Sequence, residues 1–125
     1  MCAEMRRAEF ERLVLKALEE LPEQFQRALQ NIDIQVRWRP TPAELRRAGV
    51  RRGTLFGVYL GVPLPARSRG YSMALPDTIV IYQRTHERYC GTDEEIVAQV
   101  RQTVLHEIGH YLGIDEDRLH ELGVG

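Results

Sequence analysis

The stretch "TVLHEIGHYLGIDED", residues 103–117, gathers the side chains of this sequence best suited to do chemistry together. His106 and His110 are four residues apart in a run of helical character. On an α-helix that spacing sets two side chains one turn apart on one face. Both imidazoles then reach a single ion at the about 2.0–2.1 Å of a zinc–nitrogen bond. Glu107 follows His106 directly, about 100° further round the axis at 3.6 residues per turn. The offset takes its carboxylate away from direct coordination and towards a water on the ion, the place of a general base. A catalytic zinc also needs a third protein ligand and an open position. Gly113 suits the left-handed turn that ends a helix and reverses the chain. Glu116 comes three residues later, between Asp115 and Asp117, and a carboxylate ligates zinc. The expected centre is therefore one Zn2+ per chain held by His106, His110 and Glu116, with Glu107 as catalytic base. Asp115 replaces Glu116 if the turn shifts the register by one. His120 is read as a solvent-facing residue of the last turn, with a substrate contact or an alternative ligand as the other readings.

These residues need a scaffold, and hydropathy periodicity supplies its outline. Phe10, Leu13, Val14, Ala17, Leu18 and Leu21 recur at helical spacing and predict a helix over residues 4–20. Pro22 breaks it and starts a short helix through Leu29. In "IDIQVRW", residues 32–38, apolar and polar side chains alternate, as in a half-buried strand. Thr41, Pro42 and Glu44 mark a capped short helix that Gly49 ends. "TLFGVYLG" at 54–61 reads as a second strand, with Gly57 and Gly61 as points of bulging or close backbone approach. A long proline-containing connection leads to a third strand at 78–84 and a loop, "THERYCG". Thr92 and Glu95 form a capping box that opens a long helix. Its stripe of Ile96, Val97, Val100, Val104, Ile108 and Tyr111 runs to Leu112, and Gly113 ends it. A short turn or helix, "DEDRLHEL", follows. The expected fold is a single α+β domain over residues 1–125, a small mixed sheet with helices packed mainly on one side.

Among the other polar residues, Tyr59, Tyr71 and Tyr82 are read as core or rim, with donation to an oxyanion as the alternative. Arg67 and Arg69 are solvated loop residues or carboxylate binders, and His86 is structural. Net charge is −1, unevenly spread: residues 1–70 hold 13 basic and 8 acidic side chains, residues 71–125 hold 4 and 10. An acidic C-terminal part favours a nearby cation. The cluster Arg37, Arg39, Arg46, Arg47, Arg51 and Arg52 reads as a solvated face, with nucleic acid or an acidic partner as the alternative. A nucleic-acid role is not expected, because the net charge is slightly negative and no recognition motif occurs. No apolar run approaches 18 residues, so no membrane span is expected. "MCAEMRRAEF" lacks the apolar core of a signal peptide. Cytoplasmic residence is expected, with Cys2 and Cys90 as free thiols.

Taken together, "FERLVLKALEELPEQFQRAL", "LFGVYLGVPLPARSRGY", "LPDTIVIYQ" and "VRQTVLHEIGHYLGIDEDRLHELG" resemble, in order, the blocks of the bacterial minimal zincins, a zincin-like metallopeptidase family. The resemblance spans Phe10 to Gly123. It implies a reduced zincin fold, a metal site at His106 and His110, a base at Glu107, an acidic third ligand at Glu116, and a soluble, intracellular protein. The pattern H-E-x-x-H-x-x-G-x-x-E also matches the metzincin spacing, with Glu116 where the third histidine would stand. Nine residues follow Glu116 and none is methionine, so the methionine turn of metzincins has no counterpart in this sequence. Two functions follow as expectations. In the first, the protein hydrolyses peptide bonds of a peptide or protein laid along an edge strand, 54–60 or 78–83. In the second, it is a metal-binding or partner-binding module with little turnover of its own. A partner protein that completes the cleft would join the two.

Overall fold

The computed structural model describes residues 5–49, 54–61, 77–114 and 116–121, without the side chains of Glu116, Leu119 and His120. The first helix, α1 (Arg7–Glu19), buries Phe10, Val14 and Ala17, spaced by four and three residues as its periodicity requires. Pro22 caps α2 (Glu23–Ala28), which a single 3₁₀ turn joins to β1 (Ile32–Arg37). Thr41 and Glu44 close the expected capping box on α3 (Pro42–Arg47). Strands β2 (Gly57–Leu60) and β3 (Asp77–Tyr82) follow, then α4 (Gln83–Tyr89), α5 (Asp93–Leu112) and α6 (Glu116–Glu121).

The three strands lie in the order β1-β3-β2. β3 runs parallel to β1, with Ile34 opposite Ile79, and antiparallel to β2, with Tyr59 opposite Ile79. Ile79 and Ile81 join Phe10, Val14, Val100, Val104 and Ile108 in the core between the sheet and helices α1 and α5. Val80 and Tyr82 are equally buried on the other face. There Tyr82 meets the Glu44 carboxylate of α3, and burial together with that negative charge pushes the phenol's pKa upward. The mixed α+β architecture is the one expected from the sequence.

Three local expectations are corrected. First, 78–83 is no edge for a substrate strand, because β3 is paired on both sides; β1 and β2 stand at the two edges among the described residues. Second, "THERYCG" is not a loop. Residues Gln83–Tyr89 form α4, whose inward face is polar: Gln83, Thr85, His86 and Glu87 are all buried. Hydrogen bonds hold that face, from Gln83 Nε2 to the Met5 carbonyl at 2.9 Å and from Met5 N–H to Glu87 Oε1 at 2.9 Å. Burial satisfied by hydrogen bonds leaves no apolar stripe to read. Third, the capping box of α5 is only half formed. Thr92 Oγ1 accepts from Glu95 N–H, but Glu95 Oε2 accepts from Gly91 N–H.

Candidate metal centre

Helix α5 carries the centre, and its rigidity comes from the core. Val100, Val104 and Ile108 are fully buried on the side facing α1 and the sheet. Gly113 ends the helix in the left-handed conformation, φ 76° and ψ 23°. Ile114 N–H returns to the Gly109 carbonyl at 2.8 Å and Gly113 N–H to the His110 carbonyl at 3.1 Å. This is a Schellman termination, and it aims the chain into α6.

His106 and His110 lie one turn apart as expected, ring centroids 4.7 Å from each other and planes at 66°. Each is half-buried. Glu107 is buried, and its Oε1 stands 3.4 Å from His110 Nδ1. The same oxygen accepts the backbone N–H of Tyr59, on an edge strand, at 2.9 Å. One donor atom from each of the three side chains lies within 4.8 Å of the others. Two imidazole nitrogens with a carboxylate oxygen beside them are the donor chemistry of a metal site.

Gly57 makes the contact between strand and helix close. A Cβ there would stand 2.7 Å from Thr103 Cγ2 and 2.8 Å from the Val80 carbonyl. Without it, β2 lies against α5 one turn before Glu107, and Tyr59 N–H reaches the carboxylate. The close approach expected at Gly57 is thus present. At Gly61 a Cβ would overlap the Asp77 carboxylate.

The remaining expectations sort as follows. Glu116 opens α6 directly after the Gly113 turn. Its side chain, that of His120, and all of Asp115 lie outside the described residues, as do Arg51, Arg52, Arg67, Arg69, Tyr71 and Cys2. Tyr82 faces Glu44 and not the centre. Tyr59 contributes its backbone to the centre, while its ring packs edge-on against Tyr111 at 6.0 Å. His86 is structural: fully buried, flanked by the rings of Phe10 and Phe56, its Nδ1 2.8 Å from the Tyr82 carbonyl. Burial lowers its pKa from 6.5 to about 4, against the opposing pull of that carbonyl. Arg37 is engaged by Glu44 at 3.4 Å. Burial alone would raise the Glu44 pKa, but hydrogen bonds from Thr41 and the Arg37 charge outweigh it and lower the value.

A small α+β fold with an H-E-x-x-H helix beneath an edge strand defines a class, that of zincin-like proteins. The family model described as zincin-like metallopeptidase matches residues 29–125, and the chain belongs to that family. Among solved structures it is similar to a conserved hypothetical protein from Thermo thermophilus. The two share 27% identity over 86% of this chain and 94% of the other, with a TM-score of 0.56. No curated protein matches the chain. Among the described residues no helix is long and apolar enough to cross a membrane.

Proposed function

We propose that the protein is a zinc-dependent peptidase in which His106 and His110 hold the ion, Glu116 completes the ligand set and Glu107 is the general base. The observation that carries this reading is the position of the Glu107 carboxylate. It is buried, held by the Tyr59 N–H at 2.9 Å, and set beside both imidazoles. When bound, the ion would supply Lewis acidity toward a substrate carbonyl and toward water. The chain's own residues do the rest. Glu107 takes a proton through a carboxylate oxygen, and the hydrogen bond from Tyr59 fixes the direction in which that oxygen points. Burial keeps bulk water from competing for it. A peptide or protein substrate lies along β2, whose outer edge offers backbone pairing. A cytoplasmic setting belongs to the same proposal.

The test pairs Glu107→Gln with elemental analysis and a peptide-library assay. The variant is expected to keep about one zinc per chain. Its turnover is expected to fall by about 100-fold or more, the usual contribution of a general base. Equal turnover by the two proteins would sink the assignment of Glu107. Stoichiometric zinc without turnover in either protein would favour the binding-module reading, in which a partner protein completes the cleft.

A further inference from the structure

A second cleft, of about 550 Å3, opens between the end of β1, the start of α3, and α4. Its charged lining is entirely basic: Arg39, Arg84 and Arg88, with no aspartate or glutamate among the lining residues. None of the three pairs with an acid among the described residues, although Arg37 and Arg101 do find Glu44 and Glu20. Arg84 and Arg88 are four residues apart on α4, so their side chains rise from one face of the helix. Like charges at that spacing repel, and nothing within the described chain relieves them. Thr54 and Thr85 add two hydroxyls 3.1 Å apart. Three unpaired guanidinium groups converging on one concavity focus a positive field, and guanidinium is the side chain suited to binding carboxylate by paired hydrogen bonds.

One residue ties the cleft to the neighbourhood of the metal centre. Thr54 lines both it and a smaller hollow of about 290 Å3 whose walls include Gly57, Thr103, His106 and Glu107. Along the chain, residues 54–57 run from the wall of the cleft to the wall of that hollow. An extended peptide laid beside that stretch would span it in about three residues, at about 3.3 Å each. We infer that the arginine cleft is a substrate subsite that receives a carboxylate of the bound peptide, about three residues from the bond at the metal centre. The carboxylate belongs either to an acidic side chain or to the peptide's C-terminus. The inference rests on the peptidase reading and names the substrates it favours. A long polyanion fits less well. The chain carries a net charge of −1, and residues 71–125 hold 10 acidic against 4 basic side chains, so a nucleic acid would gain the cleft and lose elsewhere.

The test reads binding, so it stands apart from turnover. The full chain carrying Glu107→Gln is titrated into rhodamine-labelled octapeptides of alanine, serine and glycine, each with one Glu or, at the same place, one Gln. Every peptide is made with a free and with an amidated C-terminus. The Glu or free-acid peptides are expected to bind about tenfold more tightly than their neutral counterparts, as charge-assisted hydrogen bonds would give. Whether amidation or Glu→Gln removes the advantage identifies the source of the carboxylate. Adding Arg84→Gln and Arg88→Gln is expected to erase the preference while the melting temperature is kept, since a repelling pair has been removed. Equal binding of charged and neutral peptides, or no binding of either, overturns the subsite. So does a preference that survives the arginine substitutions, or displacement of the peptide by a single-stranded oligonucleotide more readily than by unlabelled acidic peptide. A protein that binds acidic peptides this way and hydrolyses none would overturn the peptidase reading alone.

Discussion

At the scale of single residues, the centre is a matter of three side chains and one backbone donor. The histidine pair and Glu107 were legible because a helix turns every residue by a fixed angle, so spacing alone places their side chains. The donor was not. Any strand residue has an N–H, and nothing in the identity of Tyr59 marks its amide as the one that meets Glu107 at 2.9 Å. The pairing depends on where β2 lies, which is a property of tertiary packing. In the proposed centre the two imidazoles are the nitrogen ligands, and His110 carries a prediction. His110→Ala leaves one nitrogen donor and is expected to lower metal content from about one ion per chain to near zero in a dialysed sample. Elemental analysis beside a circular dichroism spectrum checks this. Retained stoichiometric metal in the folded variant would move the ligand role elsewhere.

At the scale of elements, two glycines set how α5 meets its neighbours. Gly57→Ala places a methyl 2.7 Å from Thr103 Cγ2 and 2.8 Å from the Val80 carbonyl, so strand or helix has to move. Overpacking of this kind costs about 1–3 kcal/mol. The expected outcome is a lower melting temperature together with a fall in turnover larger than the loss of folded protein explains, because Tyr59 N–H is carried off Glu107. Adding Thr103→Ser removes Cγ2 and is expected to restore part of both; a stable, fully active Gly57→Ala would mean the close approach is not needed. Gly113 sits at φ 76°, where a Cβ costs about 1–2 kcal/mol. Gly113→Ala is expected to lose about that much stability in urea titration and to weaken metal binding, because the turn into α6 sets the position of Glu116. Wild-type metal affinity in that variant would argue against a ligand beyond the turn. Helix ends of this kind are written in the sequence as capping residues and glycines. Helix α4 is not, because its buried face is made of Gln83, Thr85, His86 and Glu87, which read as polar loop until their partners are seen. That missed helix is also what brings Arg84 and Arg88 beside Arg39.

At the scale of the whole molecule, the mixed sheet and its helical cover follow from patterning that local sequence carries, while strand order does not. Residues 78–83 looked as fit for an edge as 54–60, since a central strand differs from an edge strand only in having two neighbours. The apolar burial of Ile79, Val80, Ile81 and Tyr82 on both faces is the signal that favours the centre. Global stability carries the last prediction, through His86. Its pKa falls from 6.5 to about 4 because its ring is sealed between Phe10, Phe56 and α5, where a charge is poorly solvated. Between those two values the unfolded chain binds a proton that the folded chain refuses. Stability is therefore fully present above about pH 6.5 and declines as the pH falls toward 4, by about 3 kcal/mol in all at 1.36 kcal/mol per pH unit. His86→Gln keeps a hydrogen-bond donor for the Tyr82 carbonyl and cannot titrate. It is expected to be less stable at pH 7 but to lose less stability on acidification than the wild type. Urea titrations of both proteins in chelator, from pH 7.5 to 4.5, isolate the effect as a difference, since every other ionisable group is common to both. Parallel curves would mean that His86 takes up its proton in the folded state, and that the space around it admits water.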